Sequence, residues 1–302
     1  MNAPLLLSQL NPENNLQDAL TRLESEVRSV PGSAAHRWAL AELLCVLGQW
    51  ERALKQLQVG AKVAESTDTQ WQAKAQMLRG LIRAEAERHE VFAGQLLPVP
   101  VIDRPQWMED LARAMGLNTT GDHAQADKLR RKALEQAPTR AGSCHWQSEA
   151  AQDQALVEQP FAWISDTDTR LGPVCECMLA GRYRWLAYAD IATIRIEPPS
   201  SLLDLVWLPV TLTLRDTAAS MAPLRGFVPA RYSGTEDIAA EMGSSQRDAL
   251  MLARLTRWQD VGTTGVFALG QKTLMTSEGD IPLMRIRTLR MNSGPQPQEG
   301  SA

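Results

Sequence analysis

A spacing of 34 residues governs the first half of the chain. Trp50, Ala53, Leu54, Leu57 and Ala61 find counterparts 34 positions earlier at Leu16, Ala19, Leu20, Leu23 and Val27, with no insertion between them. Leu40, Leu43, Leu44 and Leu47 form an apolar stripe at helical spacing, and Ala53, Leu54, Leu57 and Ala61 form a second, with Gly48 between the two. Two short helices reversing at the glycine account for the pattern, because glycine adopts the left-handed backbone that such a reversal uses. A second full match starts at Trp107: Gly121 takes the turn, and Ala126, Leu129, Ala133 and Leu134 repeat the stripe before Pro138. Gly121 lies 73 residues after Gly48, five more than two periods of 34, and the surplus falls in the Pro-rich stretch LLPVPVIDRP at 96–105.

This period, with glycine, then an aromatic, then alanine, is the signature of tetratricopeptide-like helical pairs. Small residues such as Ala53 and Ala61 let two helices approach closely, and larger apolar residues fill the gaps between successive pairs. The reading gives a helix over 16–30, a full repeat over 34–67, a degenerate unit from Asp68 to about Ala93 that runs on as one long helix, and a last repeat over 107–140. A generic helical bundle is the alternative.

Composition sets the outer limits. A chain of 302 residues with 44% hydrophobic residues has material for two cores. A formal net charge of −4 and the lack of any basic run argue against general binding to nucleic acid or an anionic membrane. The opening MNAPLLLSQLNP has no basic residue ahead of its short apolar run, so it does not read as a secretory signal, and no apolar segment is long enough to span a bilayer. Four cysteines, at 45, 144, 175 and 177, do not make a disulfide framework, and a cytoplasmic protein is the expectation.

The texture changes after residue 140. Residues 141–160 read as a linker between a helical domain at 1–140 and a strand-rich domain at 161–291, and 292–302 as a disordered tail. From Phe161 onward short runs of Val, Ile, Thr and aromatics alternate with Gly and Pro. Strands are predicted near 174–180, 183–187, 191–197, 205–214, 226–229, 265–269, 272–276 and 282–290, with hairpin turns at 180–182 and 277–280. One helix, near 238–242 or over 245–255, interrupts them. Strands in succession without alternating helices indicate a mostly antiparallel α+β domain.

Three chemistries come into question. Asp166 and Asp168, two apart after an apolar run, match the spacing by which haloacid-dehalogenase-type phosphatases present a nucleophile and an acid beside Mg²⁺. Arg170 departs from that motif, and a polar turn in which the aspartates cap backbone N–H groups and pair with Arg170 is the plainer reading. Cys144, His145, Cys175 and Cys177 are zinc-ligand types at poor spacing; Cys175 and Cys177 fall on one face of a strand, where cysteine acts as a small hydrophobe. The histidines, at 36, 89, 123 and 145, all lie outside the strand-rich half, and no glycine-rich phosphate loop occurs. No catalytic residue, cofactor or metal is therefore expected.

Several motifs in order then carry a resemblance: LLCVLGQWERALKQL, VFAG at 91–94, WISDTDTRLGP followed by CE, GRYRWL, IEPP, DLVWLP and ARYSG. Together they resemble the ImpE/TagJ family of type VI secretion accessory proteins over nearly the whole chain, although Lys272 stands where that family more often has arginine. The resemblance implies a cytoplasmic, non-enzymatic protein that binds a helix of the small sheath subunit TssB and influences sheath recycling by the ClpV unfoldase. It singles out Asp166, Asp168, Arg170, Gly172, Pro173, Glu176, Tyr183, Trp185, Trp207, Arg231 and Tyr232 as motif residues of unassigned role. Stacked helical pairs would offer a concave surface for a partner helix. Repeat phase places Trp38, Glu42 and Cys45, then Gln76, Arg79 and Arg83, then Leu111 and Met115 on that surface, with Tyr183, Trp185, Trp207 and Tyr232 as an alternative contact set.

Overall fold

The computed structural model describes residues 15–64, 69–147, 155–215, 222–239 and 242–292. Helices come first: α1 (Leu16–Ser29), α2 (Ala34–Val46), α3 (Trp50–Val63), α4 (Thr69–Phe92), α5 (Gln106–Thr119) and α6 (His123–Gln136). They fall where the 34-residue spacing puts them, and α4 is the single long helix expected of the middle unit. Asn15 caps α1 by accepting the Asp18 N–H, Ser33 caps α2 through His36, and Asp122 caps α6 through Gln125. Gly48 turns the chain between α2 and α3 with φ 68°. A side chain there would strike Glu236, so glycine is required by contact as well as by conformation.

The strands follow. They are β1 (Val99–Pro100), β2 (Gly142–Gln147), β3 (Leu156–Phe161), β4 (Ile164–Asp166), β5 (Val174–Leu179), β6 (Arg182–Ala187), β7 (Ile191–Ile196), β8 (Trp207–Leu214), β9 (Leu224–Pro229), β10 (Thr256–Val261), β11 (Gly265–Gly270), β12 (Thr273–Thr276), β13 (Gly279–Pro282) and β14 (Ile286–Met291). Nine of them form one sheet in the order β1-β6-β5-β9-β8-β7-β14-β2-β3, antiparallel except for β1 against β6. A three-stranded sheet, β13-β12-β4, and a ribbon, β10-β11, complete the described strands. Two helices, α7 (Thr235–Ala239) and α8 (Ser244–Met251), stand where one was expected.

Two expectations change. Residues 141–160 are no plain connection, because β2 and β3 pair along their whole length, from Gly142 opposite Phe161 to Gln147 opposite Leu156. The Pro-rich stretch at 96–105 supplies β1, and β4, β10 and β13 fall outside the predicted strands. Of the tail expected at 292–302, residues 293–302 lie outside the described residues.

The large sheet has two buried faces, and strand periodicity sorts its residues between them. Val174 and Met178 of β5, Tyr183 and Trp185 of β6 and Trp207 of β8 join a core shared with the helices. Cys175, Cys177, Leu186, Leu208 and Val210 point the other way, into a core closed by Ile164, Leu274 and Ile281 of the small sheet. Helices, large sheet and small sheet are thus three layers around two cores. Close approach of the first two depends on glycine: Gly181, at the β5–β6 turn with φ 69°, sits against Gly80 of α4, and a Cβ on either would meet the other's Cα at 3.1–3.2 Å.

Candidate functional site

The motif residues converge on the plane where helices meet sheet. At its centre Glu176 of β5 is 2% exposed and receives three donors. Arg88 of α4 grips both its oxygens, Nε to Oε1 at 2.7 Å and Nη2 to Oε2 at 3.1 Å. Lys272 Nζ lies 2.7 Å from Oε2, and the Tyr183 hydroxyl donates to Oε1 at 2.7 Å. Trp185 Nε1 donates in turn to the Tyr183 oxygen at 2.7 Å. Arg88 also binds Glu85 Oε1 at 2.9 Å and the Arg231 carbonyl at 2.9 Å, and Trp207 Nε1 holds the other Glu85 oxygen at 2.8 Å. Arg231 reaches across to the carbonyls of Val46 and Met251, each at 2.7 Å.

The aspartate turn continues the network. Lys272 pairs with Asp166, whose second oxygen accepts the Asp168 N–H at 2.9 Å. Asp168 accepts the Arg170 N–H at 2.9 Å, the Arg170 guanidinium on both oxygens and the Ala268 N–H at 3.0 Å. Arg170 lies between the rings of Phe92 and Phe267, 4.8 and 4.5 Å from their centroids. Gly172, at φ 49°, turns the chain so that its carbonyl receives the Asp166 N–H at 2.6 Å, and Pro173 gives its carbonyl to Tyr188. Tyr232 exchanges hydrogen bonds with Thr167 and with the backbone of Thr273.

Arg88, Arg170 and Lys272 thus form ion pairs with Glu85, Asp166, Asp168 and Glu176, and Arg231 faces Glu236 and Glu85 beside them. Burial pushes carboxylate pKa values up and the cations pull them back. At Asp166 burial prevails and its pKa rises to about 6 despite Lys272. At Glu176 burial is outweighed by Arg88 and Lys272 together, and its pKa falls to about 2. Burial acts against the Lys272 charge too, but Asp166 and Glu176 hold its pKa above the ordinary lysine value.

A dehalogenase-type nucleophile must meet a substrate and a cation. Asp166 is 2% exposed and Asp168 fully enclosed, with their oxygens taken up by Lys272, Arg170 and backbone N–H groups. The cavity beside them, walled by Glu176, Lys272 and Tyr188, measures about 10 Å³, room for a single water at most. The arrangement suits a fixed polar joint between layers. The cysteines do not gather either: Cys144 and His145 are neighbours on β2 and face opposite ways, and Cys175 and Cys177 lie in the second core. Burial raises the thiol pKa of Cys144 and Cys175 to about 12. Among the described residues no three His, Cys, Asp or Glu side chains are grouped to hold a metal ion.

The predicted partner face splits. Leu111 and Met115, each 1% exposed, belong to the helical core, and Cys45 is fully buried. Glu42 is 6% exposed, because the chain's own segment around Leu202–Leu205 packs on α2. The hollow assigned to a partner is, on this side, filled by the second half of the same chain. Tyr183, Trp185, Trp207 and Tyr232 are likewise no more than 2% exposed and cannot reach a partner. Trp38 is half-buried with its indole N–H on Glu42 at 2.8 Å. Gln76, Arg79 and Arg83 remain at the surface of α4, and Gln76 and Arg83 border a groove of about 380 Å³ between α4, the β5–β6 turn and β9.

Glu42 carries a pH prediction. Burial raises its pKa to about 7, against the opposing hydrogen bond from Trp38. A carboxyl whose pKa is higher folded than unfolded adds stability at low pH, fully below about pH 4.5, and that stability is lost as pH rises through about 7. The loss attributable to Glu42 between about pH 5 and about pH 8 should be on the order of 2–3 kcal/mol, and urea unfolding of Glu42→Gln should lack it.

Three comparisons bear on this site. Residues 158–290 match the family model described as ImpE protein. The crystal structure of protein VPA1032 from Vibrio parahaemolyticus superposes with a TM-score of 0.76 at 25% identity, covering 93% of this chain and 95% of that one. The type VI secretion system accessory component TagJ of Pseudomonas aeruginosa is 38% identical over 285 residues, 94% of this chain and 90% of that protein. The chain belongs to the ImpE family. The segment that the ImpE model matches supplies Asp166, Asp168, Arg170, Glu176, Arg231 and Lys272, whereas Glu85 and Arg88 come from the helical half outside it. The joint is therefore completed only when the ImpE segment meets the helices. Sequence reasoning missed Glu85, Arg88 and Glu236; the EAERHE run reads as solvated helix charge, and only the sheet opposite it reveals otherwise.

Proposed function

We propose that this chain is a non-enzymatic accessory component of a type VI secretion system, located in the cytoplasm, that binds a helix of the small sheath subunit TssB and so influences sheath recycling by the ClpV unfoldase. The observation that carries this reading is the 38% identity with TagJ of Pseudomonas aeruginosa across 94% of the chain. Two features agree with it. The motif residues build a closed joint and present no nucleophile to solvent. No helix among the described residues is long and apolar enough to cross a membrane.

The groove beside α4 is the docking place that fits best. Met77, Leu81, Met178 and Phe227 give it an apolar floor, and Arg83 and Arg225 stand at its rim. That pattern suits an amphipathic helix whose apolar stripe enters the floor and whose flanking acidic side chains meet the arginines. Tetratricopeptide-like helical pairs commonly offer such surfaces, and Arg83 was among the positions that repeat phase selected. Arg83 already donates to the Gly181 carbonyl at 3.2 Å, which fixes its place at the rim.

The test is fluorescence titration of a labelled TssB helix into the intact chain. Met77→Asp and Arg83→Glu should each weaken binding by more than about 1–2 kcal/mol with the melting temperature unchanged, since both side chains are at the surface. Unchanged affinity in both would remove the groove from the interface. No binding by the native chain would favour a scaffold for a different partner. Mg²⁺-dependent turnover of phosphate esters, lost in Asp166→Asn, would replace the reading with a hydrolase.

A further inference from the structure

Six strands end a sheet among the described residues: β1 and β3 in the large sheet, β4 and β13 in the small one, β10 and β11 in the ribbon. An edge strand leaves a row of backbone N–H and C=O groups open to pairing, and proline or shortness blunts it. β1, β3 and β13 carry Pro100, Pro160 and Pro282, and β4 has three residues. The outer edge of β11 is taken up by the aspartate turn, where the Thr169 N–H donates to the Val266 carbonyl at 2.9 Å and Asp168 accepts the Ala268 N–H at 3.0 Å. β10, six residues with neither proline nor glycine, is the edge that none of these devices covers.

Its hydrogen-bond phase is fixed. Leu255, just before the strand, accepts the Gln271 N–H at 2.8 Å, and antiparallel pairs alternate, so Arg257, Gln259 and Val261 turn their backbone groups to β11. Thr256, Trp258 and Asp260 turn theirs away, and these groups meet no backbone partner among the described residues. The middle of the edge carries a large ring in solvent: Trp258 is 47% exposed, with its indole N–H on the Thr167 hydroxyl at 3.4 Å, and Leu255 is 38% exposed.

The strand is complementary to a second copy of itself. Two such edges bond to each other antiparallel only where outward residues stand opposite outward residues. With Trp258 opposite its own counterpart, Thr256 faces Asp260, Arg257 faces Gln259 and Leu255 faces Val261, so ring meets ring, apolar side chain meets apolar side chain and no like charges are opposed. Sliding one copy by two residues sets Arg257 against Arg257 in one direction and Trp258 against Asp260 in the other.

We propose that two copies of this chain pair antiparallel through β10 about a twofold axis at Trp258, joining two ribbons into one four-stranded sheet. An edge of six residues falls well short of the about 20–30 residues a side of a stable interface, so the dimer is a reversible one. It uses none of the residues that line the groove beside α4 and stands whether or not that groove takes a helix.

Light scattering of the full chain over a concentration series tests it. The expected result is a mass that climbs from one chain toward two as concentration rises. Trp258→Glu, which sets two carboxylates face to face at the axis, should raise the dissociation constant at least tenfold. Asp260→Pro should do the same, because it removes an outward N–H and leaves the bonds to β11 in place. Both positions are exposed, so the melting temperature should hold in each variant. A single chain at every concentration would overturn the proposal, as would a dimer of native strength in Trp258→Glu. A dimer of native strength in Asp260→Pro would overturn pairing through the strand edge.

Discussion

Replacing Arg88 by methionine should destabilise the protein by about 3–5 kcal/mol, read as a lower midpoint in urea with the slope retained. The side chain is 2% exposed and makes four hydrogen bonds, two to Glu176 and one each to Glu85 and the Arg231 carbonyl. Removing it leaves a buried carbonyl and two buried carboxylates short of donors, and that uncompensated burial is the source of the loss rather than the strength of any one pair. Lysine should recover only part, because one ammonium cannot bridge both Glu176 oxygens and Glu85 at once. A loss below about 1 kcal/mol for Arg88→Met would show that water reaches the cluster and that the two layers are not joined there.

Trp207→Ala should cost a similar amount, about 3–5 kcal/mol, by a different route. The indole is fully buried, packs 5.6 Å from the Trp50 ring at a tilt of 35°, and donates to Glu85 at 2.8 Å. Its removal opens a cavity between α3 and β8 and also strips Glu85 of a partner. Arg88 and Trp207 share Glu85, so the double variant should lose measurably less or more than the sum of the two, whereas independent sites would add. Thermal unfolding of the single and double variants supplies the cycle.

The helices could be read from the sequence because their signal is local. Leu40, Leu43, Leu44 and Leu47 announce α2, Gly48 announces its end, and the same spacing returns at Trp107. Strands β5 to β8 were legible for the same reason, from β-branched and aromatic runs bounded by glycine and proline. β2 and β10 were not: GSCHWQ and TRWQDV are polar, partly exposed strands whose pairing comes from distant partners. The site was legible by half. Asp166, Asp168, Glu176, Tyr183 and Trp207 stood out as motif residues, and the polar-turn reading of the aspartates matches their hydrogen bonds. What could not be read was that part of the phase assigned to an open hollow is covered by the chain itself, at Glu42 by the segment around Leu202–Leu205. Repeat periodicity tells which residues share a helix face, and says nothing of what later segment lies against it. Glu42 and Cys45 were misplaced by that gap, as were Leu111 and Met115 within the helical core.

The bond from Arg231 to the carbonyl of Val46 has a practical consequence for dissecting this protein. A cut near residue 140 would part Arg231 from α2, Glu176 from Arg88 and Trp207 from Trp50, releasing a fragment with a wet stripe of acids and an unsheathed indole. Fragments of that kind adhere to bait proteins without regard to identity. Mapping what this molecule recognises therefore calls for single substitutions on the intact polypeptide rather than for halves.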